Sequence, residues 1–148
     1  PYSLFWRQVE TDAMPYCLEN EITVLAYSPM AQGILTDKFG ADPAFEKGDH
    51  RAKHKLFQPK NYERVQAALK QLRPIAESKG ITPGQLALSW VISRPSTCAI
   101  AGARNSEQAV QNAEAGDIIL TESELSEMEI ISRSVTDSLD DDPVQWKW

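Results

Sequence analysis

The sequence predicts an α/β fold with parallel strands, on three observations. Two short runs, Ile22–Tyr27 and Thr97–Ala101, are β-branched and almost continuously apolar, the pattern of a strand covered on both faces in a parallel sheet. Helical periodicities with capped starts lie around and between them. The composition is globular: 148 residues, 42% hydrophobic and 24% charged, enough to bury roughly 68–70% of the surface that an unfolded chain of this size exposes.

Val9 to Glu19 places Val9, Met14, Cys17 and Leu18 near helical spacing, which reads as a short amphipathic helix bent at Pro15. The first strand follows, bounded by Asn20 and Pro29. Residues 37–60 are polar and punctuated by Gly and Pro; a loop this long in a compact domain is functional or disordered. Asn61 to Lys79 reads as a helix with Val65, Ala68, Leu69, Leu72, Ile75 and Ala76 on one face and a kink at Pro74. Thr82-Pro83-Gly84-Gln85 starts the next helix, with Thr as N-cap, Pro at the first helical position and Gln completing a capping box. Its inward stripe is Leu86, Ala87, Trp90 and Val91, and Arg94-Pro95 stops it. After the second strand, Asn105 caps a helix through Ala115, with Gln108 in the box position. Thr121 and Glu124 form the box of the last helix, whose Leu125, Met128 and Ile131 point inward. Residues 134–148 form an acidic tail ending in Trp146 and Trp148.

The formal net charge is −6, which argues against non-specific binding to nucleic acid or an anionic membrane, since both need surplus positive charge. No run approaches the ~18 apolar residues of a membrane helix, and the opening PYSLFWRQVE lacks a signal-peptide pattern. Cys17 and Cys98 stand at no metal-ligand spacing. They read as two buried free thiols of a reducing cytoplasm, with a disulfide as the alternative; no metal site is expected. Residues 1–116 hold 13 basic and 12 acidic residues, whereas 117–148 hold 2 and 9. Between Lys47 and Lys60 the chain is locally basic, with Lys47, Arg51, Lys53, Lys55 and Lys60 against Asp49 alone. That stretch is either a solvated turn or a cover over a small anionic ligand. His50 and His54 within it read as surface histidines.

Ligand-binding chemistry follows the C-terminal end of each strand. Tyr27-Ser-Pro-Met-Ala-Gln-Gly33 offers an aromatic face, a hydroxyl and backbone N–H groups; the alternative is a Ser-Pro turn ending a strand with Tyr27 in the core. Gly102-Ala-Arg-Asn-Ser-Glu-Gln108 offers close backbone approach, a helix N-terminus and, at Arg104, a fork for phosphate; the alternative is plain helix capping. Neither the Walker pattern nor G-x-G-x-x-G occurs.

PYSLFWR, ITVLAYSPMAQGILTDKF, ITPGQLALSWVISRP and AIAGARNSEQAVQN, in this order and spacing, resemble the C-terminal half of the aldo-keto reductases. The resemblance runs from Pro1 to about Arg133 and implies the C-terminal part of a (β/α)8 TIM barrel, beginning just after the sixth strand. A whole barrel takes about 250 residues, roughly 31 per strand–helix unit, so this chain would form one partial domain, an incomplete barrel. The resemblance also implies NADPH, held across the C-terminal face of the barrel, and a small-molecule carbonyl substrate in the complete enzyme. Tyr27 matches the aromatic that stacks on the nicotinamide. Ser28, Met30, Gln32 and Gly33 match the loop along the pyrophosphate, and Lys38 matches the lysine of L-T-G-K, here preceded by Asp37 in place of Gly. Arg51 falls where relatives bring an arginine over the cofactor from the long loop, 37–60. Gly102, Arg104, Gln108, Gln111 and Asn112 match the block that holds the adenosine 2′-phosphate and adenine, with Gln111 where Glu is usual. The family's catalytic Asp, Tyr, Lys and His match no segment here, so the chain alone is expected to be inactive. The alternative is a non-catalytic NADP(H)-binding or interaction module. Either reading implies self-association or an N-terminal half-barrel partner to cover the unpaired sheet.

Overall fold

The computed structural model describes residues 1–140, 142 and 144–146. Its sheet holds two parallel strands, β1 (Val24–Tyr27) and β2 (Thr97–Ile100), in register from Val24 opposite Thr97 to Tyr27 opposite Ile100. Among the described residues five α-helices accompany them: α1 (Ala13–Glu19), α2 (Pro59–Lys79), α3 (Pro83–Ile92), α4 (Ser106–Glu114) and α5 (Glu122–Thr136). The α/β class and the parallel pairing agree with the sequence. Two adjacent parallel strands backed by helices do not close a barrel, which is consistent with the partial one expected. Among the described residues no helix is long and apolar enough to cross a membrane.

Local chemistry sets the helix ends. Thr82 with Gln85, and Thr121 with Glu124, form reciprocal capping boxes, each satisfying two N–H groups that a helix start leaves open. Pro59 begins α2 at a position where no N–H is needed. The helix continues past Pro74 to Lys79 and closes on Gly80, whose φ of 64° suits a glycine. The core lies between α2, α3 and α5, and takes in Tyr2, Leu4 and Phe5 from the N-terminal segment and Ile34 and Leu35 from the turn after β1. Trp90 is its largest fully buried side chain. The Tyr2 ring lies tilted against Trp90 at 5.4 Å, while Arg7 and Arg94 lie over the same indole at 5.1 and 4.3 Å.

Several expectations are corrected. The stretch from Val9 to Glu19 is not one bent helix: a 3-10 turn (Gln8–Glu10) precedes α1, and Pro15 sits in the first turn of α1, where its missing N–H costs nothing. Leu18 is exposed. The strands are covered on one face only: Ala26 is buried, whereas Leu25, Tyr27, Cys98 and Ile100, which register places together, are all exposed. The continuous apolarity of these strands thus encodes a second cover that the described residues do not supply. Both thiols are free, but neither is buried: Cys98 is exposed and Cys17 intermediate. His54 is fully buried and not a surface histidine. Trp148 of the expected tail lies outside the described residues.

Candidate functional site

The register of β1 and β2 brings their C-terminal ends side by side, so the segments after Tyr27 and after Ile100 leave the sheet as neighbours. Between them opens a groove of about 1280 Å³, larger than the ~300–1,000 Å³ of most small-ligand sites. One wall is the segment from Met30 to Arg51, the other the segment from Gly102 to Asn112, and the start of α3 (Thr82, Gly84 and Gln85) lies between them.

The first wall begins with strained backbone. Ser28, Ala31, Gln32 and Asp37 all have φ between 49° and 59°, and Gly33 stands at 90°, conformations that cost non-glycine residues free energy and collect at binding sites. The Gln32 Nε2 donates to Ser28 Oγ at 2.9 Å, which ties the turn together. Gly33 has a steric reason as well: a Cβ there would lie 3.0 Å from Lys38 Cε and Nζ, so its absence lets the ammonium lie along the turn. Asp37 occupies its left-handed position because Asp tolerates it better than most residues, and because Arg73 holds its carboxylate with a fork, Nη2 to Oδ1 at 3.0 Å.

The stretch from 37 to 60 is ordered. Phe39, Phe45 and Phe57 pack edge-to-face at 4.7–5.8 Å, and Tyr62 stacks on Phe57 at 5.6 Å while donating to the Gly40 carbonyl at 2.8 Å. Arg51 lies on this cluster, 5.1 Å over Phe45 and 5.5 Å over Phe39. Its guanidinium is held by Asp49, with Nε 3.0 Å from both carboxylate oxygens. That hydrogen bond pulls the Asp49 carboxyl down to about pKa 2. Burial, and after it the positive charges of Arg104 and Arg51, holds the Lys38 ammonium below its usual pKa. Lys38, Arg51 and Arg104 therefore share one field although they come from distant parts of the chain.

The second wall is braced by amides. Asn105 caps α4 by accepting from Gln108 N at 2.8 Å. The expected capping box is displaced by one residue: Gln108 Oε1 accepts from Arg104 N at 2.9 Å and not from the cap's own N–H. Asn112 Nδ2 donates to the Gly102 carbonyl at 3.1 Å, and Gln85 Nε2 donates to the Gln111 carbonyl at 3.2 Å. Among the described residues no carboxylate pairs with the Arg104 guanidinium. With the N-terminal ends of α3 and α4 both on the groove, two helix dipoles add to its positive potential.

Met30, Gln32, Gly33, Lys38, Arg51, Gly102, Arg104, Gln108, Gln111 and Asn112 all line this one groove. Tyr27 and Ser28 do not: Tyr27 lies on the open face of the sheet, half exposed, and Ser28 touches the site through Gln32. The groove also takes in Thr82, Gly84 and Gln85, expected only as a helix start, and the loop residues Phe45 and His50, which were not expected there; Lys47, from the basic stretch with the two alternative readings, lines it too. A capped N-terminus in a chain rich in anion-binding features was the available signal for the first three.

The sequence profile described as the aldo/keto reductase family matches residues 1–133. An uncharacterized oxidoreductase of Mycobacterium tuberculosis is 41% identical over 121 residues, which make up 81% of this chain and 36% of that protein. Among solved structures, the glycerol dehydrogenase AKR11B4 of Gluconobacter oxydans superposes with a TM-score of 0.87 at 32% identity, over 95% of this chain and 43% of that one. An aldo/keto reductase of Klebsiella pneumoniae in complex with NADP and acetate has a TM-score of 0.60 at 30% identity, over 88% of this chain and 37% of that one. This chain thus spans about a third of the length of its curated relatives and less than half of the solved chains.

Proposed function

This chain belongs to the aldo/keto reductase family, and we propose that it is the C-terminal, cofactor-holding part of an NADP-dependent oxidoreductase that reduces aldehydes and ketones. The observation that carries this reading is the convergence of Lys38, Arg51 and Arg104 on one groove at neighbouring strand tips. A dinucleotide with three phosphates fits that groove in size and charge, and the missing side chain of Gly33 leaves room for the Lys38 ammonium on the groove wall. NADPH bound there supplies the hydride.

The roles of the side chains follow from their placement. Arg104, with no carboxylate partner among the described residues, offers a free fork to the 2′-phosphate, and the N-terminus of α4 reinforces it. Gln111 offers an acceptor to the adenine amino group. Met30, Gln32 and Gly33 line the path of the pyrophosphate, with Lys38 beside them and Arg51 above. Tyr27, exposed at the tip of β1, is the ring this reading gives to the nicotinamide. Proton transfer to the carbonyl oxygen belongs to residues outside this chain, and the remainder of the barrel covers Leu25, Cys98 and Ile100. The free thiols suit a reducing cytoplasm.

The test is Arg104→Ala in the complete protein. NADPH affinity is expected to fall at least tenfold, roughly the ~1.5–3 kcal/mol of a hydrogen bond to a charged group, while NADH affinity changes little. Equal losses for both cofactors contradict the assignment. Carbonyl reduction with NADPH by the 148-residue chain alone would contradict the absence of the proton donor. The exposed strand face favours a second reading, a non-catalytic NADP(H)-binding module completed by another copy or chain. Sedimentation decides that point, because a compact monomer argues against a partner.

A further inference from the structure

The Lys55 ammonium lies under the wall that carries Arg51. Its side chain is 5% exposed, with Nζ 2.5 Å from Asp140 Oδ1, 3.1 Å from Asp142 Oδ2 and 3.0 Å from the Asp142 carbonyl. The backbone takes part too: Lys55 N donates to the Gln145 carbonyl at 2.8 Å, and His54 pairs with Trp146 as an antiparallel bridge. An ammonium withdrawn this far from water is costly unless it is paired, so the closed tail is the arrangement in which Lys55 is satisfied. The Trp146 ring meets two histidines edge-on, His54 at 4.7 Å and His50 at 6.0 Å, and His50 lines the groove. Between those histidines stands Arg51, in the 3-10 turn His50–Lys53, where His54 N donates to the Arg51 carbonyl at 3.1 Å.

We propose that the acidic tail is a strap that positions Arg51: Asp140 and Asp142 clasp Lys55, Trp146 grips His50 and His54, and the turn between these anchors holds the guanidinium over the groove. The proposal rests on the reading of the groove as a nucleotide site for its effect on affinity, but not for its effect on the turn. Lys55 and the two aspartates are positioning residues and touch no ligand. The charge asymmetry of the chain, a basic loop and an acidic tail, thereby acquires a structural use.

The test compares Asp140→Asn/Asp142→Asn and Lys55→Met with the unmodified sequence, following trypsin cleavage after Arg51 in the 148-residue chain and NADPH affinity by titration of the complete protein. The aspartates are more than half exposed, so their variant retains the core even if Lys55→Met does not. Cleavage is expected to speed up about fivefold or more as the turn opens locally. Hydrogen exchange in α3 and α4 stays unchanged, and Lys55→Arg restores protection. Affinity for NADPH is expected to fall about threefold to tenfold, with no further fall when the aspartate variant is combined with Arg51→Ala. Unchanged cleavage overturns the strap. A further loss of affinity in the Arg51→Ala background overturns its action through Arg51. Failure of the complete protein to bind NADPH defeats the nucleotide reading alone, and the cleavage result still decides the strap.

Discussion

The two walls of the groove are built in different ways. The wall after β1 is held by charge: Arg51 on Asp49, Arg73 on Asp37 and Lys55 on the tail, over a run of left-handed backbone. The wall after β2 is held by neutral amides, Gln108, Asn112 and Gln85, and presents one arginine without a carboxylate partner among the described residues. A guanidinium already paired gains less from a phosphate than an unpaired one, which has its full fork to offer. In the proposed site this difference makes Arg104 the contact that selects the cofactor and Arg51 a weaker contact that depends on how its turn is held.

The largest expected effect removes both walls together. Helix α3 packs on β2, on the turn after β1 and on α4, and Trp90 is its fully buried anchor. Trp90→Ala should cost about 3–5 kcal/mol, measured by denaturant unfolding, and abolish the distinction between the walls.

Next comes acidification, which should separate the walls. Burial among Trp6, Phe57 and Trp146 pushes the His54 pKa down to about 4. The unfolded chain takes up that proton near pH 6.5, so the stabilisation is complete above 6.5 and is lost as pH falls towards 4, up to roughly 3 kcal/mol. The Asp142 carboxyl, held low first by the Val144 N–H and then by Lys55, acts in the same direction. Hydrogen exchange at pH 7 and pH 4.5 should show residues 45–57 opening before 102–112. Simultaneous opening would break the contrast.

Gly33→Ala tests the first wall by itself. The side chain would meet the Lys38 ammonium at a φ of 90°, for an expected loss of about 1–3 kcal/mol of stability, with exchange at 102–112 unaffected. The smallest effect is expected for Asn112→Ala, about 1 kcal/mol or less from one exposed brace on Gly102, read as faster exchange in the loop at Arg104 alone.

The legible parts of this molecule are those whose causes are local. Thr82 with Gln85 and Thr121 with Glu124 mark their helices because a cap is satisfied within four residues. The parallel strands show in β-branched apolar runs. What escaped the sequence depends on distant partners. His54 is buried by Trp146, and Lys55 is satisfied by Asp140 and Asp142, from the opposite end of the chain. The exposed faces of Leu25 and Ile100 show the converse, since their apolarity reports a neighbour that the described residues do not include. Within the site, ten of the expected residues gather on the groove because the parallel register forces adjacent strand tips together, whereas Tyr27 follows the pleat to the other face.

The central claim is that both walls grip one dinucleotide. It is tested most directly by hydrogen exchange of the complete protein during titration with NADPH. The account predicts protection at 28–38 and at 102–112 with one common midpoint, and with NADH in place of NADPH a loss of protection that is greatest at 102–112. Protection of a single wall, or two separate midpoints, contradicts it.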